Sequence, residues 1–242
     1  MAFEERGGWV IASDRVLRLL CWALILFALA TAALQLTVSQ NPFGTPVPDG
    51  TDFVDRLLSY RSDDQKILGL ALVSGLAGAG LYLMGSLIGI ALRRLAPNGA
   101  AGDVMAGLFV IGGIAGVVSQ LMYVANANLA TSGYCDCGYK TYEVIGQAYA
   151  LEAGWALQNW VNLGGLVIVG IAAAFAGWVV NLSRDWRILS YLIALGALAG
   201  AALRIFGAYQ ASDITLGITA GIAVPIWAFL LARGSSRLTA RA

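Results

Sequence analysis

The chain of 242 residues contains no histidine, three cysteines and five prolines. Without histidine it lacks the usual ligands of haem, non-haem iron and catalytic zinc, and the commonest general base at neutral pH. Charge is scarce as well. Only 12% of residues are charged and the formal balance is +1, against about a quarter charged in an ordinary soluble domain. So small a balance excludes nucleic-acid binding driven by bulk charge. What the chain has in abundance is apolar surface: 59% of residues are hydrophobic and the mean hydropathy is +0.74. The composition is that of an integral membrane protein.

A membrane-crossing helix needs about 20 mostly apolar residues. Six stretches qualify: 16–38, 67–92, 104–125, 156–180, 188–208 and 214–232. None alternates with the period of two that a barrel strand requires, so the predicted fold is all-α, a single six-helix transmembrane domain over 1–242. The first stretch is longer than a signal-peptide core and has no clear small-x-small cleavage site, so it reads as a retained span. Residues 1–12 read as a segment lying along the inner surface.

Basic residues set the expected orientation. Arg6, Arg15, Arg18, Arg93, Arg94, Arg184, Arg187, Arg233, Arg237 and Arg241 fall at one set of span ends. At the other set Arg56, Arg61, Lys66 and Lys140 are diluted by many carboxylates, among them Asp49, Asp52, Asp63, Asp136, Glu152 and Asp213. Both termini are therefore expected in the cytoplasm, in a multi-pass cell-membrane protein of the bacterial inner-membrane kind. The outer loops are then 39–66 and 126–155. In the first, Pro42, Pro46 and Pro48 break regular structure, and 51–60 carries Phe53, Val54, Leu57 and Leu58 as a short interfacial helix. Ser62-Asp63-Asp64-Gln65 reads as a capping box opening the second span.

Four spans carry Gly-x-x-x-Gly: Gly85 with Gly89, Gly112 with Gly116, Gly196 with Gly200 and Gly217 with Gly221. Glycines one turn apart let a neighbouring backbone approach, so they predict a tight bundle, with room left for a partner helix, a lipid or a flat pigment. Trp22, Trp155, Trp160, Trp178, Trp186 and Trp227 fall mostly near headgroup level, where tryptophan belts form.

Polar side chains within spans are costly and point to function. They concentrate in the outer halves of the third, fourth and fifth spans: Ser119, Gln120, Tyr123 and Asn126; Gln158, Asn159 and Asn162; and Arg204, with Asp213 opening the sixth. Arg204 calls for a carboxylate, and Asp213 or Glu152 could supply it. As ordinary structure, Arg204 snorkels to the headgroups or makes an ion pair. As function, Gln120, Tyr123, Asn126, Gln158, Asn159, Asn162, Arg204 and Asp213 form an outward pocket for an anionic or carbonyl-bearing ligand. No carboxylate lies deep in a span, and Pro225, the one in-span proline, sits toward the inner end of its span. Both features weigh against coupled transport.

Cys21 reads as an apolar filler. Cys135-Asp136-Cys137 would face an oxidising compartment, and three readings stand: a strained disulfide, thiols that are free or pair elsewhere, or a metal site completed by Glu143 or another subunit. Thiol oxidoreductases space their cysteines Cys-x-x-Cys, so catalysis is not expected here. No nucleophile–histidine pair and no phosphate-binding glycine loop occurs. The leading expectation is therefore a non-catalytic subunit, a scaffold or accessory component of a larger membrane complex, without a cofactor. The alternative is a binding or transport protein using the outward pocket, and a weaker one is extracytoplasmic thiol chemistry.

Overall fold

A computed structural model describes residues 4–37, 64–131 and 141–239. Cys135, Cys137, the expected interfacial helix at 51–60 and the Ser62-Asp63 half of the capping box lie outside the described residues. Among those described, all regular structure is helical: α1 (Glu4–Thr37), α2 (Asp64–Leu92), α3 (Gly99–Thr131), α4 (Thr141–Val179), α5 (Arg184–Ile205), α6 (Tyr209–Ile218) and α7 (Val224–Thr239). Six stretches are long and apolar enough to cross a membrane: Arg15–Leu34, Leu68–Leu95, Gly99–Leu129, Tyr149–Val179, Arg184–Ile205 and Gln210–Gly234. The last of these joins α6 to α7 through a π-helical turn, Thr219–Ala223.

Two boundaries differ from the hydropathy reading. Helix α1 runs unbroken from Glu4 into the first span, so 4–12 continues the span helix and is not a separate segment. The connection expected over 126–155 is helical at both ends, through Thr131 and again from Thr141. Ala127, Leu129, Ala148, Ala150, Leu151 and Ala153 are strong helix formers, and propensity carries a helix past the point where hydropathy falls.

The helices form a closed ring. Each packs chiefly on its neighbours in sequence, and α1 completes the circuit against α7. Among the described residues, short turns join α2 to α3 and α4 to α5 at one end and α5 to α6 at the other. At one end, which holds Arg93, Arg94, Arg184 and Arg187 and is called the basic end below, Asn98 Oδ1 accepts from Ala100 N at 3.1 Å to start α3, and Arg93 pairs with Asp103. Also at this end, Ser183 caps α5 by accepting from Trp186 N at 3.2 Å.

At the opposite end α5 stops in a Schellman turn. Gly207 adopts φ +78°, its N–H bonds to Arg204 O at 3.1 Å, and Ala208 N bonds to Leu203 O at 2.8 Å. This stop holds Arg204 and Asp213 on opposite sides of a three-residue connection. A Cβ at Gly207 would meet nothing, so Gly207→Ala should cost only the left-handed backbone penalty of about 1–2 kcal/mol. The measurement is thermal unfolding of the purified protein; an unchanged midpoint would contradict the motif.

The basic end of the ring is filled. Leu17, Cys21 and Leu24 of α1, Ile88 and Leu92 of α2, Met105 and Phe109 of α3, Ala172, Ala176 and Val180 of α4, Trp186 and Ile193 of α5, and Trp227 and Leu231 of α7 form one buried cluster. Large apolar side chains also face outward all round, including Leu26, Leu76, Ile114, Leu195 and Ile222. Helices apolar on both faces suit a bilayer and not water.

Candidate functional site

Toward the Arg204 end the interior of the ring is not filled. A cavity of about 270 Å³ runs down its axis, lined from all six spans. Its upper part carries Gln120, Asn162, Arg204 and Asp213, together with Tyr82 and Thr31. Its lower part is apolar and ends on Phe109, Ile193, Val224 and Trp227.

Glycines build the upper wall. Tyr82 and Ser86, one turn apart on α2, face Gly116 and Gly113 of α3, where a Cβ would strike the tyrosine ring and the serine hydroxyl respectively. Ser86 Oγ lies 3.0 Å from Tyr82 O and 3.1 Å from Phe109 O, sharing its proton between the two helices. With Tyr82 seated in this way, its hydroxyl donates to Asn162 Oδ1 at 3.0 Å, and Ser119 Oγ donates to the same oxygen at 3.3 Å. Gly112 brings α3 onto α4, since a Cβ there would stand 3.1 Å from Val169 N and 3.2 Å from Gly165 O. The two glycines of the Gly85 pair behave differently. Gly89 receives the Phe109 side chain, whereas Gly85 borders the cavity and a Cβ there would meet nothing.

Arg204 supplies the charge. Its Nη2 donates to Asp213 Oδ1 at 3.0 Å, while its buried Nε has no partner among the described residues. Of the two carboxylates within expected reach of Arg204, Asp213 makes the pair. The Gln120 amide and the Asn162 NH2 likewise make no hydrogen bond among the described residues. The threonines differ: Thr31 donates to Phe27 O at 2.8 Å and Thr219 to Thr215 O at 2.7 Å, each satisfied within its own helix. The groups left to meet a ligand are therefore mostly donors, gathered at one end.

The structure thus brings Gln120, Asn162, Arg204 and Asp213 onto one cavity. It does not bring the other four residues of the expected pocket there. Asn159 is exposed and Gln158 half-buried, Tyr123 is half-buried and off the lining, and Asn126 packs against Gly154 on α4. Asn159 lies three residues from Asn162, and Tyr123 three from Gln120, a rotation of about 60° about the helix axis, and that offset carries one of each pair off the lining. Tyr82 and Ser86 are the residues sequence reasoning missed. Their polar side chains one turn apart in the second span were the available signal.

The tryptophan belt also needs correction. Trp22, Trp160 and Trp178 face outward, but Trp186 and Trp227 are buried at 0% and 4% exposure. Their rings stack at 5.4 Å, and Trp227 Nε1 donates to Ser190 Oγ at 2.8 Å, which in turn donates to Trp186 O at 2.9 Å. Trp227 is the floor of the cavity, and Trp186 backs it.

Pro225 shapes the last span. Lacking an N–H, it cannot complete the helix behind it, and the turn before it widens so that Val224 N bonds to Thr219 O, five residues back. Pro225 lies in the inner half of the span Gln210–Gly234, the wide turn before it falls at the span's middle, and Thr219, Ala220 and Val224 line the cavity. No group of three or more metal-ligating side chains occurs among the described residues. No protein-family model, curated protein or solved structure matches the chain.

Proposed function

We propose that this membrane protein binds a small amphiphilic molecule in the axial cavity, entering at the Arg204 end. One observation carries the reading: polar groups without protein partners collect at one end of a cavity whose remaining wall is apolar. Burying such groups is costly unless something completes them, and small-molecule sites combine apolar walls with a few convergent polar groups in this way. An apolar cavity of ~150 Å³ accommodates one benzene, so 270 Å³ corresponds to roughly ten to twelve non-hydrogen atoms by the same measure. The arginines at the opposite end support an orientation with the mouth on the outer side of the membrane and both termini in the cytoplasm. The Gly112–Gly116 pair serves the close helix approach around the cavity.

The accessory-subunit reading is second. It rests on the first and last spans, whose apolar windows are only 22% and 17% buried, leaving the broadest faces for another membrane protein.

The test uses 8-bromooctanoate and 8-bromo-1-octanol, whose terminal bromine quenches indole fluorescence on contact. In the full chain reconstituted in nanodiscs, one or both should give a saturable quenching component that Trp227→Phe removes. Gly85→Leu, which places a side chain in open cavity space, should abolish the component while leaving the unfolding temperature unchanged or higher. Quenching by both probes that rises linearly without saturation, as from bilayer partition alone, would reject the reading.

A further inference from the structure

We infer that the ligand is an anion, a carboxylate carried on a short apolar chain, and that it binds by taking Arg204 from Asp213. The inference rests on the proposed cavity function and specifies its chemistry.

The two partners of the ion pair are placed unequally. The Arg204 side chain is 18% exposed and that of Asp213 is 56% exposed. Water can replace Arg204 at Asp213 with little loss, whereas a buried guanidinium must keep an anion or hydrogen-bond acceptors. The pair is also incomplete. Asp213 engages only Nη2, leaving Nε, the second donor on the same edge of the guanidinium, without a partner among the described residues. A planar carboxylate can occupy two N–H groups of arginine at once, so an incoming carboxylate can make a bidentate contact where Asp213 makes a single one. The amide N–H groups of Asn162 and Gln120, on the same lining, are donors suited to the same anion. Asn162 is held with its oxygen turned to Tyr82 and Ser119, which leaves its NH2 as the free half of the amide. Below these donors the wall is apolar down to Trp227, which sets the polarity of the ligand: head toward Arg204, chain toward the tryptophan floor. The volume excludes a two-chain phospholipid and admits a chain of about eight carbons.

Asp213 is thus an internal competitor, and the two partners should respond to substitution in opposite directions. Saturable quenching of Trp227 by 8-bromooctanoate is the readout, on the full chain in nanodiscs. Arg204→Gln should weaken it by about 10- to 100-fold, the range of a lost charge-assisted contact. Arg204→Lys, which keeps the charge but not the fork, should lie between and remains informative if the glutamine variant does not fold. Asp213→Asn should tighten binding by about two- to fivefold, as expected when a partly exposed ion pair no longer competes. Weaker binding in Asp213→Asn would overturn the exchange, since Asp213 would then be holding Arg204 in place. Saturable quenching by 8-bromo-1-octanol with none by 8-bromooctanoate would overturn the anionic ligand while leaving the cavity reading intact. Loss of saturation with both probes would instead remove the cavity reading itself.

Discussion

Replacing Trp227 with alanine is expected to destabilise the protein by about 3–5 kcal/mol, the range for truncating a buried aromatic to alanine. Three losses coincide there. The indole is 4% exposed and belongs to the core cluster at the basic end, so its removal leaves a void that helices held by their neighbours cannot fully close. The stack on Trp186 disappears, and Ser190 loses the donor it accepts from. Trp227→Phe separates these terms. It keeps a ring against Trp186 and removes the hydrogen bond and part of the indole's volume, so it should cost less than the alanine change, about 1–3 kcal/mol. Thermal unfolding followed by near-ultraviolet circular dichroism would compare the two. Equal, small effects would mean that the floor is not part of what holds the ring together.

The second large effect is expected on the opposite side of the ring, at Gly113. A Cβ there would fall on Ser86 Oγ and stand 3.0 Å from Tyr82 O, a backbone atom that cannot rotate aside. Gly113→Ala should therefore cost about 1–3 kcal/mol by overpacking, and Gly113→Leu more, by forcing α2 from α3. Adding Ser86→Ala removes the colliding oxygen, so the double variant should be more stable than the sum of the two single changes predicts. Such non-additivity is the mark of side chains in direct contact. Strict additivity would show that the α2–α3 approach at Gly113 is looser than the geometry requires. Because Tyr82 and Ser86 dock on the same stripe of α3, the lesion should also release the Tyr82–Asn162 hydrogen bond and reduce saturable quenching by 8-bromooctanoate.

These two sites illustrate how differently the parts of the molecule were legible. The helical class and the six spans follow from composition alone, because an unpaired backbone group in lipid is so costly that a long apolar segment has few options. Arg204 and Asp213 were legible for a related reason. A charge at depth is expensive wherever it lies, so its mere presence in a span marks it. Tyr82 was less conspicuous, since its ring is counted among apolar residues and only its hydroxyl, 3.0 Å from Asn162 Oδ1, ties it to the site. The sorting of Asn162 from Asn159, of Gln120 from Tyr123, and of Trp227 from Trp178 was not legible. Each pair has similar composition and similar depth, and differs only in the direction the helix turns it.

The chain's own residues thus determined that it is a bundle of membrane-length helices, basic at one end and polar within the spans at the other, because transfer energies depend on residue type and depth. Only the tertiary structure decided that the helices close into a ring, that Gly85 borders a cavity while Gly89 receives Phe109, and that Arg204 keeps its Nε without a partner among the described residues. The reason is that rotation of a helix about its axis is set by side chains on other helices. A glycine or an amide acquires its role only when a partner from a distant part of the chain arrives opposite it.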